Sequence, residues 1–337
     1  MGFLRRIFNS RPEAAPTKAA ETPPAVVPVP NEPADPLVTP TDRPAPDAPT
    51  AEVPAAGLVT TKLEQPGVTR NIQDIEPFVG IPGKHLAYGI NSDKGVVRQN
   101  NQDSLFAMLT SQVGAQTMPD FGLFVVADGM GGHENGERAS ALAARIVGQH
   151  VLSNFYLKRL SGSDSDDLYL NEILTEALQK ANEMVASETP EGGTTVTAAA
   201  INGSMAYIAH VGDSRAYLIT EEGIDQITHD HSLVQRLIDL DHLTPDEAAV
   251  HPQRNVLYRA IGQNDNLEID TLVRRLPDGA RLMLCSDGLW NMVNETELRH
   301  IITSAQTPQE ACDRLIELAN QNGGNDNITV ILVQIPG

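Results

Sequence analysis

Residues 125–137 read VVADGMGGHENGE. The apolar run 122–127 ends on Asp128, three glycines follow by residue 132, and Ala139, Leu142, Ala143, Ile146, Val147 and Val151 then recur at helical spacing. The stretch predicts a strand, a carboxylate at its end and a helix. Three more aspartates sit in the same kind of place: Asp213 in AHVGDSRAY (209–217), Asp287 in LMLCSDGLW (282–290) and Asp326 in NGGNDNITV (322–330). Each of the four has a glycine close by (Gly129, Gly212, Gly288, Gly324), so each is expected at a turn from which separate strands aim carboxylates at one point. A set of oxygen ligands selects Mg²⁺, Mn²⁺ or Ca²⁺ over a structural zinc, and no HxxxH pair stands beside these aspartates.

Working outward, Leu170, Ile173, Leu174, Ala177, Leu178, Ala181, Met184 and Val185 predict one amphipathic helix over 169–187. Residues 122–127, 197–201, 205–211, 215–219, 281–285 and 328–334 read as strands. Thr244-Pro-Asp-Glu247 and Thr307-Pro-Gln-Glu310 are expected capping boxes. Turns at Asn202-Gly203 and near Glu222-Gly223 give an antiparallel meander rather than βαβ repeats. Two such sheets flanked by helices make an α/β layered sandwich.

Composition divides the chain. Residues 11–56 hold 13 of its 23 prolines and neither a glycine nor an aromatic residue, too little apolar surface to offset ordering. The domains expected are a short amphipathic terminus (1–10), a Pro/Ala-rich disordered linker (11–78) and a folded domain (79–337). In MGFLRRIFNS, Phe3, Leu4, Ile7 and Phe8 share a helical face, which suits weak docking to a membrane or a partner. Arg6 where Ser or Thr is required argues against myristoylation. The formal charge of −20 argues against nucleic-acid binding. Cys285 and Cys312 lack CxxC spacing, so a reducing, cytoplasmic setting is expected, with Cys285 in the core.

A two-metal carboxylate centre suits phosphoryl chemistry, since it activates water and neutralises phosphoryl oxygens. It also needs a cation for the phosphate. Arg98, in SDKGVVRQNNQDS (92–104) just before Asp103, is the bidentate donor the sequence offers.

These segments, with GGTTVTAA (192–199), ITHDHSLVQRLI (227–238), HPQRNVLYRAIG (251–262), CSDGLW (285–290) and NDNITV (325–330), resemble in order the metal-dependent Ser/Thr protein phosphatases of type 2C, bacterial branch. The resemblance implies a four-layer α-β-β-α sandwich with two mainly antiparallel sheets. It implies a phosphoprotein phosphatase working by direct attack of water at two Mn²⁺ or Mg²⁺ ions, with a third, more labile ion. Asp128 would bridge two metals, Asp287 and Asp326 would complete the first site, and the Gly129 carbonyl would join the second. Asp213 with Asp287 would hold the third. Asp103 would orient the water, Arg98 would grip the phosphate, and Asn327 would order its loop. Residues 251–255 belong to a flap beside the cleft. Implied partners are phosphorylated Ser/Thr proteins, including a Ser/Thr kinase; the chain is expected to be monomeric, cytoplasmic or peripheral at the inner membrane face. Gln102 replaces a Glu common in the family, and Met130 replaces a His of eukaryotic members. His133 is near in sequence and takes no role.

Two other functions fit the same fold: a phosphopeptide-binding regulatory module and a phosphatase of small metabolites. Among neighbouring residues, Thr194 and Thr195 are expected to support a turn, and Arg215 and His210 to pack behind Asp213. His229, His231 and His251 are expected as surface or loop groups, and Trp290 as a core aromatic capping a helix start.

Overall fold

Phe121, Leu123, Val125 and Ala127 lie in one buried cluster while Phe124 and Val126, on the opposite face of the same strand, lie in another. Side chains alternate across a strand, so a run buried on both faces must be covered on both. The structure, a computed structural model, describes residues 85–112, 118–162 and 169–337. The expected terminus 1–10, the linker 11–78 and the boundary at 79 lie outside the described residues.

In chain order the elements are β1 (Ala87–Asp93), β2 (Asp103–Gln112), β3 (Met118–Met130), α1 (His133–Val151), α2 (Leu157–Leu160), α3 (Leu170–Glu188), β4 (Gly193–Thr194), β5 (Val196–Asn202), β6 (Met205–Val211), β7 (Arg215–Ile219) and β8 (Ile224–Gln226). Then follow α4 (Leu233–Asp239), α5 (Pro245–Ala249), β9 (Asp270–Arg275), β10 (Arg281–Cys285), α6 (Asp287–Trp290), α7 (Glu295–Ser304), α8 (Pro308–Gln321) and β11 (Ile328–Gln334). One sheet runs β1-β11-β10-β7-β8 and the other β2-β3-β5-β6-β9, with β4 pairing β3; every named pair is antiparallel.

Three cores separate four layers. Leu142, Ile146 and Val147 of α1 and Leu174, Leu178 and Val185 of α3 close on the outer face of the second sheet. Phe124, Val126, Ile208, Leu282, Leu284 and Ile331 fill the space between the sheets. Met283, Cys285, Val330 and Leu332 turn outward onto Leu298 and Ile302 of α7 and Leu315 of α8. Full burial of each such aliphatic side chain is worth roughly 1.5–3 kcal/mol. The fold is therefore the expected α-β-β-α sandwich. No helix among the described residues is long and apolar enough to cross a membrane.

Local details depart from expectation. Asn202 pairs with Met205, so the β5–β6 hairpin turns on Gly203 and Ser204 rather than on Asn202-Gly203; Gly203 takes the positive φ of 60° that the turn demands. Thr244 and Glu247 form the expected capping box. Thr307 accepts from the Glu310 amide, but the Glu310 carboxylate takes the Gln306 amide, so only half of the second box forms. Asn294 and Glu297 build a full box at α7 instead. Cys285 and Cys312 are both buried, and burial pushes each thiol up to about 12. Neither thiol should react with Ellman's reagent at pH 8 in the native protein, and both should react in denaturant; native labelling of Cys285 would show that the β10 face opens.

Candidate active site

Asp103 opens β2 and stands directly opposite Asp128 in β3. Asp128 is not at a strand end, as its glycines suggested: β3 continues to Met130 by pairing Gly129 and Met130 with Thr194 and Gly193 of β4. That pairing clamps the Asp128 backbone. Its carbonyl accepts from Thr194 Oγ1 at 2.8 Å and Thr195 N at 2.9 Å, and its amide donates to Thr195 Oγ1 at 2.9 Å. Thr194 and Thr195 thus hold the strand, as expected. The Gly129 amide donates to Gln102 O at 3.1 Å, and a Cβ on Gly129 would overlap the carbonyl oxygens of Gly136 and Gln102. Both neighbours are backbone and cannot swing aside. Gly129→Ala should cost roughly 3 kcal/mol, the upper end of overpacking, read as a fall in the urea midpoint.

The other sheet supplies the facing side. Asp287 opens α6 at the end of β10, and Asp326 precedes β11. Ser286, directly before Asp287 and fully buried, donates from Oγ to Asp103 Oδ2 at 2.7 Å and accepts from Thr329 N at 2.9 Å. Asn327 accepts from Gln102 N at 2.8 Å and donates to Lys94 O and Asn100 O, both at 2.9 Å. It ties the loop carrying Arg98 to β11, so the loop it orders through its side chain is the distant one and not only its own. Arg98 Nη2 donates to Asp326 Oδ2 at 2.6 Å. With the Arg98 side chain 48% exposed, that pair is worth about 0–1 kcal/mol, so it can be exchanged for a stronger anion.

Asp213 lies in the turn between β6 and β7 and is buried. Its carbonyl accepts from Trp290 Nε1 at 3.0 Å, and the Arg215 guanidinium stacks 3.6 Å from the Trp290 ring centre. Trp290 is therefore not a helix-start cap but a tie between α6 and the Asp213 turn. Arg215 grips Asp230 through Nε and Nη2 at 3.0 and 2.7 Å, behind the site as expected.

Burial, reinforced by neighbouring carboxylates, raises Asp103, Asp128, Asp213 and Asp287. Asp103 is pushed up to about 6 and Asp213, with Asp230 adding repulsion, to about 7. Asp128 and Asp287 rise well above the carboxylate range, chiefly from burial, then from Asp103 and Asp213 respectively. Asp103 Oδ1 and Asp287 Oδ1 are buried without a donor. The Asp128 carboxyl lies within hydrogen-bonding reach of both side chains, an arrangement that a shared proton or a cation makes favourable. No group of three or more His, Cys, Asp or Glu side chains among the described residues is drawn closely enough together to hold one ion. The donors nonetheless fit a hard divalent cation: hard oxygens, like charges in mutual repulsion, and two orphaned carboxylate oxygens.

The structure brings Asp103, Asp128, Asp213, Asp287 and Asp326 into electrostatic contact, with Arg98 bonded to Asp326. Ser286 was missed, because its role rests on a contact across 183 residues; a serine directly before a strand-end aspartate is a faint signal. His229 and His251 are loop groups as expected, His229 pairing with Asp239 at 2.9 Å. His231 also lies in a loop but not at the surface: it is 1% exposed, and its ring is tilted against that of His210 at 4.9 Å, which is itself fully buried and pushed down to about 3 by that burial.

Carboxylates brought together from two antiparallel sheets, with Arg98 on Asp326, are a donor set suited to metal-assisted phosphoryl hydrolysis. Residues 96–321 match the family model described as Protein phosphatase 2C. The chain is 37% identical over 247 residues to the serine/threonine phosphatase stp of Listeria monocytogenes, covering 72% of this chain and 93% of that one. The solved structure of the S. agalactiae serine/threonine phosphatase superimposes with a TM-score of 0.64 at 33% identity, over 74% of this chain and all of that one (100%). The catalytic domain of the serine/threonine phosphatase PstP, solved in complex with two manganese ions, gives 0.60 at 32% identity, over 74% and 97%. The chain belongs to the Protein phosphatase 2C family and is a metal-dependent serine/threonine phosphatase.

Proposed function

We propose that this phosphatase hydrolyses phosphoserine and phosphothreonine on proteins by direct attack of water, without a phosphoenzyme, at a centre of two Mn²⁺ or Mg²⁺ ions. The convergence of Asp103, Asp128, Asp213, Asp287 and Asp326 from both sheets beside Arg98 carries this reading. Asp128, Asp287, Asp326 and the Gly129 carbonyl would hold the two ions, and Asp213 with Asp287 a third. When bound, such ions supply a nucleophilic water at neutral pH and neutralise the phosphoryl oxygens.

The chain's own groups do the rest. Asp103, fixed through Oδ2 by Ser286, presents Oδ1 as an acceptor that orients the attacking water. Arg98 leaves Asp326 for the phosphate, to which its planar fork offers two donors. Met130, where a general acid would stand in eukaryotic relatives, cannot protonate the leaving oxygen, and we assign no protein acid.

In the same reading the enzyme is a cytoplasmic monomer acting on phosphoproteins, a Ser/Thr kinase among them. Residues 11–78 tether it, and residues 1–10 dock weakly to a partner or the inner membrane face. The test is phosphate release from a phosphothreonine peptide with Mn²⁺, Mg²⁺ or EDTA, beside small phosphometabolites. Metal-dependent release from the peptide is expected, and a preference for metabolites would overturn the protein substrate. Arg98→Ala should raise KM more than it lowers kcat; an unchanged KM would remove Arg98 from phosphate binding.

A further inference from the structure

Residues 233–256, carrying α4 and α5, leave and rejoin the body at one point. Ser232 bridges Leu257, Leu233 N donates to Val256 O at 2.7 Å, and Tyr258 N donates to His231 O at 3.0 Å. His231 stands at this root. On its other side it holds the residue before Asp213 twice: its amide donates to Gly212 O at 2.8 Å, and its Nδ1 accepts from Gly212 N at 3.1 Å. An Nδ1 that accepts leaves the ring proton on Nε2, which faces Asp270 Oδ2 of β9 at 3.2 Å. Arg259 Nη1 lies 3.3 Å from the same Nε2 and donates to Asp270 Oδ1 at 3.1 Å.

Gly212 needs such a hold. Its φ of 112° is open only to glycine, and a glycine peptide is free to rotate unless its amide and carbonyl are both engaged. Rotation there would swing the Asp213 carboxylate.

We propose that His231 is a positioning residue: it fixes the Gly212–Asp213 turn so that Asp213 faces the other carboxylates, and it joins that turn to the root of segment 233–256. This rests on the reading of Asp213 as a ligand of the third, labile ion. Segment 233–256 and the Asp213 turn are thereby held by one imidazole, so displacement of the segment's root by a bound phosphoprotein is transmitted to Asp213.

Three full-length variants test it by Mn²⁺ titration calorimetry and by kcat and KM on a phosphothreonine peptide. His231→Leu removes the acceptor at similar volume; it should weaken the weakest Mn²⁺ event roughly 10–100-fold and lower kcat more than it raises KM. His231→Asn, whose amide oxygen lies near the place of Nδ1, should recover most of both. Asp213→Ala should abolish the same event. A folded His231→Leu protein that titrates like wild type, while Asp213→Ala does not, overturns the role of His231 alone. Equal loss in the Leu and Asn variants overturns it as well, since the acceptor would then be irrelevant. An unchanged titration in Asp213→Ala overturns the ligand reading and this proposal with it. Should His231→Leu fail to fold, Asp270→Asn at the partly exposed Nε2 partner takes its place: a weakened Mn²⁺ event supports the proposal and an unchanged one overturns it.

Discussion

Asp287→Ala is expected to reduce phosphate release from a phosphothreonine peptide by at least about 10²–10³-fold in Mn²⁺ or Mg²⁺, the scale on which a preorganised electrostatic contact acts in the transition state. Asp287 sits where β10 hands over to α6, in electrostatic contact with Asp213, Asp326 and Asp103 and within reach of Asp128, so its loss opens the centre from the middle. The same substitution should raise the melting temperature in EDTA. Asp287 carries a buried oxygen without a donor and is repelled by its neighbours, which is stability spent on function. A variant that is inactive and also melts lower in EDTA would point to a structural aspartate rather than a ligand.

The second large effect is on stability against pH. Asp103, raised to about 6, and Asp213, raised to about 7, hold protons in the metal-free folded chain that the unfolded chain, with carboxylates near 4, has released. A raised folded-state pKa contributes stability that is complete below about pH 4 and is lost as pH climbs through the folded values. Buried His210, pushed down to about 3, works the other way up to about pH 6.5, so in EDTA the melting temperature should fall between pH 6.5 and pH 7.5, where Asp213 together with Asp128 and Asp287 still holds protons, by about 2 °C or more for a domain of this size. Saturating Mn²⁺ should remove the fall, because an ion that binds only the folded carboxylates stabilises them in the ionised form. A curve in EDTA that is flat or rises across this window, above the range in which His210 contributes, would mean that Asp213, Asp128 and Asp287 are solvated, contrary to their burial.

Much of this was legible before any coordinates. The periodicity of α3 and the apolar runs of β6, β7, β10 and β11 mark those elements to within a residue, because each buries a regular face. The aspartates stand out because each follows or abuts an apolar run. Gly129 was misread: beside Asp128 it looked like a turn former, yet it lies within paired strand and is glycine because the Gly136 and Gln102 carbonyls leave no room for a Cβ. Trp290 and His231 were read only in part: Trp290 does pack on the helix-side core and His231 does lie in a loop, but the tie of the one to the Asp213 carbonyl and the burial of the other depend on distant partners.

Sequence by itself determined the layered fold, the family and the identity of the carboxylates, because period, strand-end position and motif order are local properties that each segment carries alone. Only the tertiary structure decided that Asp103 faces Asp128 across a strand pair, that Ser286 buttresses Asp103 from the opposite sheet, and that His231 fastens the Asp213 turn. Those facts depend on register and on contacts between residues far apart in the chain, and such distances close only when the apolar faces of both sheets are buried against each other.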